Sequence, residues 1–349
     1  METIMRIDVH AHYWPGEYME ALVAAGKPGL AGFARQADDF DQRLETLDRN
    51  GVEVQVLSAI GLDVALPDAE AAAATTAVIN DIYAQIGQRY PGRFAAFGSV
   101  PLPHVEAAIA ETERCFNELG AVGIGLPCNV AGRPIDSPEF EPFWENLARH
   151  DAVVYIHPAG SDSAVHPGLK DWGLHTAFGS PVQITVAPVR ILYSGLSTRY
   201  PSLRFVFAMC GGFLPFLWPR IERNLRRGFA RSAVAAAGPG FMSYLKDLPL
   251  EPDDPMSGLR RFWYDISMQD VPTALMVARD SYGADRLLLG SDEIFASLDE
   301  AVAFVQDSTY LSDEQKAAIL DRNAAEMFGS DLDSLVKAGH GPGSSAASS

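Results

Sequence analysis

Arg6-Ile7-Asp8-Val9-His10-Ala11-His12 is a β-branched run that closes on two histidines one residue apart. Ile7 and Val9 mark it as a buried strand. Side chains at i and i+2 of a strand point to the same side. His10 and His12 therefore converge at the strand's end, an arrangement that suits two ligands of one metal ion. The next residues, Tyr13-Trp14-Pro15-Gly16, form a turn-prone exit. They are not the glycine-rich phosphate loop that follows the first strand of a doubly wound nucleotide-binding sheet.

Working outward, strands and helices alternate. A helix is predicted over residues 39–50, stopped by Gly51 as a C-cap, and a strand over 52–58. An alanine-rich helix covers 68–90 and ends at Pro91-Gly92. The same rhythm gives strands over 94–99, 121–126, 152–157, 203–208, 262–265 and 287–292. Helices fall between them at 104–119, 138–150, 181–199, 213–230 and 271–282, then at 298–307 and 312–327. Residues 17–39 read as loops and short helices over the site, and 235–258 as irregular. Eight strands, most followed by a helix, imply an α/β protein with a parallel sheet that closes into a (β/α)8 TIM barrel. The expected organisation is a single barrel domain with loop insertions over 1–333 and a disordered, Gly/Ser/Ala-rich tail over 334–349.

The chain has 349 residues, 48% of them hydrophobic, and a net charge of −18. The size suits one α/β barrel. The acidic balance leaves no basic field for nucleic acid. No apolar stretch reaches the length of a membrane span, and the N-terminus lacks the pattern of a signal peptide. Three cysteines, Cys115, Cys128 and Cys210, form no disulfide framework and point to a reducing cytoplasm.

Barrel enzymes carry their chemistry at the carboxyl ends of strands. The first strand ends in His10 and His12. The strand over 152–157 ends in His157, and the last leads into Gly290-Ser291-Asp292. Three imidazoles and a carboxylate complete a ligand set for a divalent ion, Zn²⁺ first and Mn²⁺ as the alternative.

Asp8-Val-His-Ala-His12, Tyr155-Ile-His-Pro158 and Leu289-Gly-Ser-Asp292 resemble motifs of the amidohydrolase superfamily. The resemblance is to the branch that includes aminocarboxymuconate semialdehyde decarboxylase and γ-resorcylate decarboxylase. Further matching stretches are Arg43–Asp48, Gly51–Ser58, Tyr200–Arg204, Tyr282–Arg286 and Asn323–Phe328, so that it spans about residues 5–329. It implies one metal bound by His10, His12, His157 and Asp292, and non-oxidative removal of CO₂ from an aromatic or unsaturated carboxylic acid. It also implies that Arg43 and Arg220 serve the substrate carboxylate, Arg220 from a neighbouring subunit, and hence a homodimer or higher oligomer. A guanidinium grips a carboxylate through two parallel hydrogen bonds.

One position departs from that branch. Its acid–base histidine after the strand over 203–208 is Met209 here, in Ala208-Met-Cys-Gly-Gly-Phe213. A thioether neither gives nor takes a proton at neutral pH. Asp292 becomes the leading proton carrier, with Cys210, His166, His175 and Glu293 as other residues that could approach. Trp14, Met209, Cys210 and Phe295 are the expected pocket wall, with Trp172 a further aromatic candidate. Besides decarboxylation, the pattern leaves open a metal-dependent hydrolase or hydratase, or a barrel repurposed around Met209.

Overall fold

The computed structural model describes residues 5–27, 40–62, 65–160, 167–169, 171–234, 254 and 256–329. The expected tail over 334–349 and His166 lie outside them. Eight strands run parallel, each beside the next in chain order: β1 Ile7–His12, β2 Val54–Ser58, β3 Phe94–Gly98, β4 Gly123–Pro127, β5 Val153–His157, β6 Arg204–Phe207, β7 Trp263–Asp265 and β8 Leu287–Leu288. The ring closes where the end of β8 meets β1. Val9 N–H donates to the Leu289 carbonyl at 3.0 Å, and Asp292 N–H to the His10 carbonyl at 2.8 Å. This is the (β/α)8 barrel that the alternation predicts.

The strands are buried on both faces, as expected of a parallel sheet with helices packed outside it. β5, Val-Val-Tyr-Ile-His, is buried at every residue. The helix Ala69–Arg89 shows how the outer layer is made. Asp68 caps it by accepting from Ala71 N–H, and Ile79, Tyr83 and Ile86 form a buried stripe at helical spacing. The helix Leu298–Gln306 starts in a reciprocal capping box between Ser297 and Glu300. Inside the barrel, the rings of Phe97 and Tyr155 stack at 5.1 Å, with Phe328 of the last helix beside Phe97. No helix among the described residues is long and apolar enough to cross a membrane.

Three details differ from the sequence expectation. The helix expected over 104–119 is α-helical to Arg114 and then widens into a π-turn, Cys115–Leu119. That turn seats the buried Cys115 against β3 at Gly98, where a Cβ would stand 2.6 Å from its sulfur. A two-strand hairpin, Asn129–Val130 with Arg133–Pro134, interrupts the loop after β4. The last strand stops at Leu288 rather than 292, because the chain bends inward and Asp292 takes a left-handed φ of 57°. Aspartate tolerates that region better than most residues.

Candidate metal centre

β1 is not a regular strand. Its register against β2 shifts between Asp8 and Ala11, a bulge of the kind that re-aims side chains beside active sites. Asp8 accepts from the His10 N–H at 3.2 Å across the bulge. It also accepts from both the N–H and the hydroxyl of Ser291, at 2.9 and 2.7 Å, and from Gln55 Nε2 at 2.8 Å. Burial pushes Asp8 up to about 6, against the hydrogen bonds from Ser291 and Gln55. This carboxylate ties β1 to β2 and to the turn that carries Asp292.

Inside the ring, one atom from each of His10, His12, His157 and Asp292 lies within 4.8 Å of the others. His10 Nε2 is 3.2 Å from His12 Nε2 and 3.3 Å from Asp292 Oδ1, which is 3.1 Å from His12 Nε2. His157 donates from Nδ1 to the Pro158 carbonyl at 2.9 Å. That bond fixes its tautomer and leaves an Nε2 lone pair. His10 Nδ1 is likewise engaged, 3.0 Å from Asp265 Oδ2. Nitrogens of three imidazoles and a carboxylate oxygen thus converge on one point, a geometry that positive charge, from a proton or a metal ion, would satisfy. His12 Nδ1 is buried without a hydrogen-bond partner.

The electrostatics agree. Burial opposes charge on His10, but the Asp265 and Asp292 carboxylates outweigh it and raise His10 to about 10. Burial and the two neighbouring imidazoles push His157 down to about 3. Burial works against ionised Asp292, yet the imidazoles of His10 and His12 hold it well below the usual carboxylate range. The four groups together are built to hold positive charge. A proton on His10 supplies it without a metal, and a divalent ion would compete for the same place.

The remaining expected site residues lie in different surroundings. Trp14 is buried, donates to the Ala59 carbonyl at 3.1 Å, and stands 5.3 Å from the His12 ring. Phe295 is 61% exposed and lies edge-on to both His12 and Trp14 at 5.6 Å, over the site. Arg43 lies behind the cluster, bonded to Gln55 Oε1 at 2.8 Å and to the His12 carbonyl at 3.2 Å. Glu293 shares that network, accepting from Gln55 at 2.8 Å with Arg43 3.9 Å away. Arg220 is exposed on the helix Leu214–Val234, one turn beyond the exposed Phe216. Cys210 is buried, and burial pushes its thiol up, away from a nucleophilic thiolate. Met209 is half-buried with φ 56°, and its main-chain N–H points to Asp265 and Ser267. His175 sits in a π-turn, its Nδ1 buried without a partner. Trp172 is almost fully exposed.

Sequence reasoning misses Asp265, although the rule that finds Asp292 applies to it: it is a carboxylate at the end of Phe262-Trp-Tyr-Asp265. It also misses Asp8 and Gln55, polar residues inside otherwise apolar strands. Gly61 is a further omission. At φ 99° it faces the rings of His157 and His12, where a Cβ would lie 3.4 and 3.7 Å away. It belongs to a cleft lined also by Ser99, Gly125, Pro127, Ala159 and Gly160, at the ends of β2 to β5.

The amidohydrolase family profile matches residues 7–330. The 2-amino-3-carboxymuconate-6-semialdehyde decarboxylase of Dictyostelium discoideum is 28% identical over 94% of this chain and 92% of its own. A γ-resorcylate decarboxylase of a Rhizobium species is also 28% identical, over 91% and 92%. Among solved structures, the 5-carboxyvanillate decarboxylase of Novosphingobium aromaticivorans, determined with bound manganese, superposes with a TM-score of 0.75. It is 22% identical, over 94% of this chain and 99% of that one, and shares the barrel.

Proposed function

Since the chain belongs to the amidohydrolase family, we propose that it is a metal-dependent, non-oxidative decarboxylase of an aromatic or unsaturated carboxylic acid. The observation that carries this reading is the convergence of His10, His12, His157 and Asp292 within 4.8 Å, in a chain similar over most of its length to two decarboxylases.

A divalent ion held by these four residues would supply a Lewis acid that draws off the charge developing as the C–C bond breaks. Three imidazoles and one carboxylate suit Zn²⁺, while the manganese of the structural relative keeps Mn²⁺ as the other candidate. His10 and His12 are wholly buried, whereas the Asp292 side chain is 22% exposed. Asp292 is thus the ligand that opens to the mouth of the barrel. A proton drawn from solvent at that mouth passes by way of Asp292 to the carbon that bears the carboxylate. The C–C bonding pair then returns to the ring or alkene, and CO₂ leaves. The substrate approaches from that mouth, where Phe295 lies edge-on to His12. Arg43, engaged by Gln55 and the His12 carbonyl, positions β1 rather than gripping the substrate.

We place Arg220 at the site of a second copy of the chain. Phe216 and Arg220 share a face of their helix, and Phe216 is 75% exposed, as a residue awaiting a partner surface would be. All three cysteines are free and buried, in keeping with a cytoplasmic protein.

The test is to measure metal content and then CO₂ release from a panel of hydroxybenzoates and muconate-type acids. Stoichiometric divalent metal and CO₂ release from at least one acid are expected. Metal-loaded protein that releases no CO₂ from any of them, yet incorporates ¹⁸O from water into the product of an ester or lactone, would overturn the reading in favour of a hydrolase.

A further inference from the structure

Asp265 stands at the end of β7, wholly buried, and every polar contact recorded for it is a donor. Oδ2 accepts from Tyr155 O–H at 2.9 Å and faces His10 Nδ1 at 3.0 Å. Oδ1 accepts from the N–H of Ser267 at 3.0 Å, from its hydroxyl at 2.6 Å, and from the main-chain N–H of Met209 at 3.0 Å. A carboxylate caged by donors is acceptor-only, so the His10 nitrogen facing it must carry the hydrogen. That choice leaves the Nε2 lone pair for the cluster, where Nε2 lies 3.2–3.3 Å from His12 and Asp292.

β8 lies between β7 and β1, so Asp265 must reach His10 across an intervening strand. It does so at Gly290. A Cβ there would stand 2.8 Å from the Asp265 Cβ and 2.9 Å from the His10 Cβ, closer than real Cβ contacts allow. The missing side chain is the gap through which the two residues meet. Met209 fits the same arrangement. Its left-handed backbone turns its N–H onto Asp265 and, at 3.1 Å, onto Ser267 Oγ.

We propose that Asp265 is the positioning residue of the metal centre. Reaching past Gly290, it fixes the tautomer and ring plane of His10, and the Met209 backbone and Tyr155 hold it in place. The proposal rests on the metal-centre reading but not on the reaction assigned to it. Partners of this kind, hydrogen-bonded to a ligating histidine, support metal affinity in general.

The test uses the full chain stripped of metal by a chelator and titrated with Co²⁺, followed by its visible absorption. Asp265→Asn brings an NH₂ donor into a cage of donors. It is expected to weaken Co²⁺ binding about 10–100-fold and to shift the visible bands, while far-ultraviolet circular dichroism stays that of the wild type. Tyr155→Phe, which removes one donor and keeps the carboxylate, should give a smaller loss in the same direction. Wild-type affinity together with an unchanged spectrum in Asp265→Asn would overturn the proposal. Should that variant fail to fold, ¹⁵N-histidine spectra of the wild-type protein loaded with Zn²⁺ decide the matter. His10 protonated on Nδ1 supports the proposal, and His10 protonated on Nε2 overturns it. Neither readout involves a substrate, so a protein that binds Co²⁺ as expected but decarboxylates nothing defeats the functional reading alone. A wild-type chain that takes up no Co²⁺ defeats both.

Discussion

From β7 through β8 to β1 the mouth of the barrel is crowded with charge, whereas from β2 to β5 its cleft is lined by uncharged residues. Asp265, Asp292, Asp8, His10 and His12 occupy the first arc, each bonded to a neighbour. Ile60, Gly61, Leu62, Ser99, Val100 and Gly125 are among those that line the second, and His157 stands at the end of its last strand. Buried charge must be satisfied atom by atom, so the first arc has little freedom and fixes where a cation sits. The second arc contributes one ligand, His157, beside uncharged walls. One arc therefore supplies most of the ligands and the other mostly uncharged wall, and the two should respond to mutation differently.

The largest effect is expected on the charged arc. Asp292→Asn replaces the carboxylate proposed both to hold the ion and to move the proton, and kcat/KM for CO₂ release should fall at least about 10³-fold. Retention of activity within tenfold would mean that this arc does not hold the reacting group. Gly61→Ala probes the uncharged arc. A Cβ at φ 99° costs about 1–3 kcal/mol of backbone strain, and in the cleft it should raise KM about tenfold. Metal content should not change. If metal content falls instead of KM rising, the two arcs are not separable, because Gly61 then supports His157 more than it shapes the cleft. The smallest effect on turnover is expected behind β1. Arg43→Lys gives up the paired bonds to Gln55 and the His12 carbonyl. It should lower stability by about 1.5–3 kcal/mol in denaturant titration while changing KM little. A large rise in KM would show that Arg43 contacts substrate directly.

The sequence makes some of this legible and hides the rest for a definite reason. The barrel can be read because short apolar runs alternate with segments of helical spacing. His10, His12, His157 and Asp292 can be read because ligating residue types recur at strand ends. The bulge between Asp8 and Ala11 has no local mark, since the run still alternates as a strand should. Asp265 can be recognised as a strand-end carboxylate. Its pairing with His10, 255 positions away, depends on the missing side chain of Gly290 on a third strand. Arg43 has the right charge for a substrate carboxylate, and its bonds to Gln55 and the His12 carbonyl depend on neighbours that only the fold brings to it. What escapes one-dimensional reading is direction across strands, not residue type.

The seam between the first and last strands is also where most of the metal ligands meet. His12 and Asp292 are 280 residues apart in the chain and 3.1 Å apart in space. During synthesis the N-terminal histidines leave the ribosome long before the carboxylate that completes their set exists. The binding site thus comes into being only when the barrel shuts. Contacts so far apart in sequence are the slow ones to form. Once bound, the ion joins β1 to the turn after β8 and favours the closed ring over every open form by mass action. Metal uptake is therefore a chemical report that the last strand has reached the first.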